Sequence, residues 1–131
     1  MRKYKRANTS VFSLSYHLIW CPKYRRGLLV GDLKVRLEEI VKEAIYSLGG
    51  VLLELEIMPD HVHLCVSLPP RVPIHKFLKL TKGRSSNYLR KEFPYLLKMP
   101  TLWSRNYFAS TVGCVSTEQV MNYIKKQWDK K

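Results

Sequence analysis

The chain has 131 residues, 46% of them apolar, which fits one domain with a real core and excludes a disordered tail. Lys and Arg number 23 against 10 acids, a formal net charge of +13. That excess points to a polyanion, most simply nucleic acid, although a ribosomal or membrane-surface protein can be as basic. No apolar run approaches the roughly 20 residues of a membrane helix. The N-terminal MRKYKRANTS lacks a signal peptide's apolar core. Cys21, Cys65 and Cys114 are scattered and form no CxxC, which argues against a disulfide framework or a zinc knuckle and favours a reducing cytoplasm.

Residues 1–8 read as a loose basic arm. From Val11 to Cys21 the pattern alternates: Phe12, Leu14, Tyr16, Leu18 and Trp20 share one face, and Ser13, Ser15 and His17 the other, as in a half-buried strand. CPKYRRG is a basic loop. Asp32 can cap a helix whose Leu33, Leu37, Ile40, Val41, Ala44, Ile45 and Leu48 recur at helical spacing, and Gly49-Gly50 ends it. A second strand covers 51–57, with Val51, Leu53, Leu55 and Ile57 facing one way and Glu54 and Glu56 the other.

MPD makes the turn into a third strand, 61–68, which buries Val62, Leu64, Val66 and Leu68. Its period of two puts His61 and His63 on the opposite, uncovered face. After PPRVP a second helix runs from about Pro73 to Phe93, with Ile74, Phe77, Leu78, Tyr88 and Leu89 on its apolar side. Gly83 weakens its interior and leaves room for a ligand to approach. TLWSRNYFASTVG, 101–113, reads as a fourth strand. Ser116-x-x-Gln119 then opens a last helix, whose final lysines suit the helix dipole. The order β-α-β-β-α-β-α implies an α+β fold: a ferredoxin-like βαββαβ antiparallel sheet with two helices on one face, plus a C-terminal helix over 116–131. The whole chain, 1–131, is then a single domain in which the first and third strands are central neighbours.

His61-x-His63 sets two imidazoles side by side, a common way for a strand to hold a divalent cation. Two surface histidines would read the same way. In QVMNYIKKQW, Tyr123 and Gln127 are one helical turn apart. Val120, Tyr123, Ile124, Gln127 and Trp128 also match an ordinary amphipathic stripe, in which a glutamine is the least expected member. Gln127 could supply an amide oxygen as a third metal ligand, with Tyr123 beside the metal as a nucleophile.

These segments resemble the single-tyrosine HUH transposases of small insertion sequences of the IS200/IS605 type. The resemblance spans nearly the whole chain: HLIWCPKYRRGLL, MPDHVHL as the HUH motif, KGRSSNYLRKEFP, LWSRNYFASTVGCVS and VMNYIKKQ, in that order. It implies that His61, His63 and Gln127 hold a metal and that Tyr123 is the nucleophile. It further implies cleavage and rejoining of single-stranded DNA through a 5′-phosphotyrosine, recognition of DNA hairpins near the element ends, and a homodimer whose active sites combine residues of both subunits.

Two imidazoles and an amide leave positions open for phosphate oxygens, which suits Mg2+ or Mn2+. A closed zinc site would want four ligands, and Cys65 could extend the pair to HxHxC. Glu54 or Glu56, on the neighbouring strand and the same face, is an alternative third ligand, and His17 could stand just behind the ligands. Candidate DNA contacts are Lys3, Lys5 and Arg6 in the arm, Lys23, Arg25 and Arg26 in the loop, and Lys79, Lys82, Arg84, Arg90 and Lys91 on the second helix. Tyr4, Tyr24 and Tyr107 could stack on unpaired bases. Two rival readings are a ferredoxin-like nucleic-acid-binding module without chemistry, which would display aromatics on its open face, and a domesticated relative that cleaves repeat hairpins.

Overall fold

The computed structural model of the chain describes residues 14–111. Tyr123, Gln127, the Ser116 helix start and the arm with Lys3, Tyr4, Lys5 and Arg6 lie outside them. The described order is β1 (Leu14–Pro22), α1 (Gly31–Ser47), β2 (Val51–Met58), β3 (His61–Leu68), α2 (Ile74–Glu92) and β4 (Trp103–Ser110). Short 3-10 turns occupy Lys23–Arg25 and Pro94–Lys98. The strands pair antiparallel in the order β2-β3-β1-β4. This is the ferredoxin-like sheet expected, with β1 and β3 at its centre.

One face of that sheet takes both helices. Leu18 and Trp20 of β1 and Val62, Leu64, Val66 and Leu68 of β3 join Leu37, Ile40 and Val41 of α1 and Phe77, Leu78 and Leu89 of α2 in a single core. Each large apolar side chain buried there stabilises the fold by about 1.5–3 kcal/mol. Arg36 of α1 grips Glu92 of α2 through two nitrogens, at 2.8 and 3.1 Å, but this exposed fork contributes at most about 1 kcal/mol. Packing, not ion pairing, therefore sets the helices on the sheet. Buried contacts also lock the far end: Trp103 donates to Ser85 Oγ at 2.9 Å and meets Trp20 edge-on at 6.0 Å.

Three local features differ from the pattern read in the sequence. First, Val30 rather than Asp32 is the N-cap of α1, and no side chain caps it. Asp32 instead lies in the first turn, where its carboxylate opposes the positive end of the helix dipole. The other end is as expected: Gly49 takes φ +79° and the Gly50 N–H reaches Ile45 O at 2.9 Å.

Second, the pairing of β2 with β3 shifts register between Leu52 and Glu54. The extra residue flips the alternation. Leu52 and Leu55 therefore pack on the core, whereas Val51 and Leu53 are exposed. Third, the sheet face opposite the helices is not open at its centre. His17, Ile19, His63 and Cys65, all on the two inner strands, are fully or almost fully buried. On the edge strand β2, Glu54 and Glu56 of that face are exposed to solvent. Cys65 is also disulfide-bonded, contrary to the expectation of reduced thiols, so it has no thiolate to complete an HxHxC site. Cys21 is a free buried thiol, pushed up to about 12 by burial and unsuited to nucleophilic work.

A Cβ placed on Gly83, in the exposed middle of α2, would meet nothing within 4 Å. Gly83→Ala should stabilise the protein by about 0.5–1 kcal/mol, because only the flexibility of the unfolded chain is lost. Thermal unfolding should show a midpoint a few degrees higher; a lower midpoint would mean that α2 needs glycine for its backbone here.

Candidate active site

The site is built on the β2–β3 hairpin. Met58 pairs with His61 across the two-residue turn Pro59-Asp60, so both histidines stand in the first three positions of β3. Antiparallel register then decides their neighbours. Glu56 lies opposite His63 and Glu54 opposite Cys65, on the same face. From the other side β1 sets Ile19 opposite His63 and His17 opposite Cys65. His17 is thus diagonal to His63, and the two rings meet with centroids 4.8 Å apart, tilted by 52°.

His63 is fully buried, and neither of its ring nitrogens finds a hydrogen-bond partner among the described residues; the same holds for His17. A buried polar group left without a partner costs about 1–3 kcal/mol, so two in contact call for a ligand. Burial lowers the pKa of His63, and His17 beside it adds to the effect, while Glu54 and Glu56 oppose it. Burial likewise lowers that of His17, against the pull of Glu54. Both rings are therefore neutral near pH 7, which is the form that binds metal.

Among the described residues, one group of side chains could hold a metal ion. Potential ligand atoms of Glu54, Glu56 and His63 all lie within 4.8 Å of one another. Two exposed carboxylates and one buried, unpartnered imidazole fit a divalent cation such as Mn2+ or Mg2+. His61 is not a member of this group; its Nδ1 contacts Asp60 Oδ1 at 2.8 Å. Asp60 also accepts from Arg25 Nη2 at 3.1 Å. Burial pushes the Asp60 carboxyl pKa up, but the bonds from His61 and Arg25 outweigh it and the net shift is downward.

Arg25 comes from the basic loop, whose Tyr24 and Arg25 adopt φ of 60° and 51°. Non-glycine residues rarely occupy this left-handed region. The loop is held in place by Lys23 N–H to Leu102 O at 2.8 Å and Leu29 N–H to Pro59 O at 3.0 Å. Beside it opens a cleft of about 300 Å³ lined by Cys21, Pro22, Lys23, Tyr24, Arg25, Ser104 and Asn106. Tyr24 is 72% exposed, with the Lys23 and Arg26 cations 5.3 and 5.8 Å from its ring.

The basic residues of α2 are placed differently, since α2 lies on the helical face of the sheet, away from His63. Lys79 and Lys91 are exposed and Arg84 is half-buried. Lys82 gives a hydrogen bond to Ser104 O at 2.8 Å, and burial lowers its pKa. Arg90 donates to Pro100 O and Met99 O, tying α2 to the segment before β4. The structure thus gathers His17, His63, Glu54 and Glu56, with His61 and Arg25 at the hairpin tip. Sequence reasoning overlooked Asp60, although its place directly before His61 in MPDHVH was a signal that could have marked it.

Comparison with known proteins places this arrangement. The profile of the family described as "Transposase IS200 like" matches residues 10–127. The ISDra2 transposase TnpA of Deinococcus radiodurans is 36% identical over 129 residues, covering 96% of this chain and 92% of that protein. The transposase for insertion sequence element IS200 of Salmonella typhimurium is 29% identical over 119 residues, covering 88% and 78%. A crystal structure of a Deinococcus radiodurans R1 protein described as a transposase superposes with a TM-score of 0.80 at 36% identity, covering 97% of this chain and 98% of that one. A REP-associated tyrosine transposase solved bound to a REP hairpin shares the fold, with a TM-score of 0.54 at 13% identity, over 95% of this chain and 67% of its own. With both the hairpin that carries the histidines and nearly the full sequence accounted for, the chain belongs to the IS200-like transposase family of DNA-processing enzymes.

Proposed function

We propose that this transposase cleaves and rejoins single-stranded DNA at the ends of its element, with Tyr123 as nucleophile and a divalent metal at the histidines. The observation that carries the metal is the buried, unpartnered His63 facing Glu54 and Glu56. His61 and His63 would supply two imidazoles, and Gln127 the third ligand by the family pattern. Glu54 and Glu56 are the rival third ligands, a second reading favoured by their closeness to His63. When bound, Mg2+ or Mn2+ polarises a phosphoryl oxygen and offsets transition-state charge.

In the reaction itself, the Tyr123 oxygen forms a bond to the scissile phosphorus and gives up its proton. The bond from phosphorus to the 3′ oxygen breaks, and that oxygen leaves as a 3′-OH. The 5′ end stays on the enzyme as a phosphotyrosine. A second 3′-OH then attacks this linkage and releases the tyrosine, so energy is conserved and no nucleotide cofactor is needed. Lys23, Arg25 and Arg26 would hold the phosphates leading to the site, and Tyr24 would stack on an unpaired base. Lys79, Lys82, Arg84, Arg90 and Lys91 would serve a more distant stretch, such as the stem of a hairpin. The partner is a second copy of the chain, each site joining the histidines of one subunit to the tyrosine of the other.

Incubation with single-stranded oligonucleotides bearing element ends and Mn2+ should yield a covalent protein–DNA adduct. The adduct should vanish in Tyr123→Phe or with a chelator; its persistence in Tyr123→Phe would overturn the nucleophile. The third ligand is decided by Mn2+ titration of variants. Gln127→Ala should weaken binding about tenfold or more, with Glu54→Gln and Glu56→Gln changing it little. The reverse pattern would move the ligand to β2.

A further inference from the structure

Resting on the reading of His61 as a metal ligand, we propose that Asp60 is a positioning residue that selects the tautomer of His61, and that Arg25 clamps Asp60 for this task. A carboxylate can only accept a hydrogen bond when ionised. Its contact with His61 Nδ1, at 2.8 Å, therefore puts the ring proton on Nδ1. Nε2 then carries the free lone pair. Imidazole prefers the opposite tautomer in water, so without Asp60 part of the population would present a proton where the cation must bind.

Asp60 sits in a two-residue turn and would be free to rotate if nothing else held it. The Arg25 guanidinium takes its other oxygen, Oδ2, at 3.1 Å, which fixes the plane of the carboxylate. Arg25 reaches it from 35 positions earlier in the chain, on a loop whose two consecutive left-handed residues cost on the order of 1–2 kcal/mol each. That strain persists because the loop is bonded to both sides of the site, at Leu102 and at Pro59. The same loop lines the cleft in which Lys23 and Tyr24 stand. The chain of contacts Arg25–Asp60–His61 thus ties the wall of the cleft to the orientation of a candidate ligand. His63 has no such hydrogen-bond partner among the described residues; it is buried against the ring of His17.

The test reads the tautomer directly. Long-range proton–nitrogen NMR on the full chain with labelled histidine should show His61 protonated at Nδ1 without metal. Asp60→Ala should move it towards Nε2–H and raise the Mn2+ dissociation constant about 10- to 100-fold. Asp60→Asn, whose amide oxygen can still accept from Nδ1–H, should keep the tautomer and lose less affinity. Arg25→Gln should fall between. A His61 tautomer and Mn2+ affinity in Asp60→Ala equal to those of the unaltered protein would overturn the proposal. His61→Ala measured alongside separates the two claims: unchanged Mn2+ affinity there overturns the ligand role of His61, whatever Asp60 does to its ring.

Discussion

The antiparallel pairing of β1 with β3 is the constraint on which the rest depends. It puts Leu18 and Trp20 beside Leu64 and Val62 on the helical face, which makes the core. By the same period of two it brings His17 against His63 on the other face, in the middle of the sheet. A slip of one residue would exchange the faces, putting imidazoles among leucines and leucines beside the carboxylates of β2. The large apolar core thus holds the register that the small polar site requires.

That site is costly in the form described. Two neutral imidazoles in contact, without hydrogen bonds from the described residues, weaken the fold. The core offsets this many times over. What the arrangement secures is a pair of rings that cannot stay protonated near neutral pH, next to two carboxylates that remain in solvent. A divalent cation would satisfy the orphaned nitrogen and neutralise the acids together. The strongly positive charge of the chain elsewhere, +13 in all, draws in the phosphate backbone and leaves this patch as the one acidic group facing buried histidine among the described residues.

Much of this was legible in the sequence because the signals were periodic. Alternation over β1 and β3 placed His17, His61 and His63 on one face, and the Gly49-Gly50 pair marked the end of α1 through a positive φ that only glycine takes easily. Strand order followed from the β-α-β-β-α-β succession. Three things were not legible. A β-bulge leaves no mark in a run such as VLLELEIM, so the exposed Leu53 was read onto the same face as Leu55 and Ile57. Burial of the second sheet face cannot be inferred from alternation, which tells faces apart without telling which are covered. The Arg25–Asp60 contact spans 35 positions and depends on a loop conformation that its residue types disfavour. Asp60 was in plain view but read as turn chemistry, since aspartate after proline is common in turns. The placement of Tyr123 and Gln127 relative to the histidines rests on the family resemblance.

The central claim is that His63 is the anchor of a divalent metal site on the sheet. Diffraction from crystals grown with Mn2+, recorded at an energy where manganese scatters anomalously, tests it most directly. The account predicts one anomalous peak at bonding distance from a ring nitrogen of His63, with a carboxylate of β2 or the Gln127 amide close by. A peak whose ligands do not include His63 would contradict it.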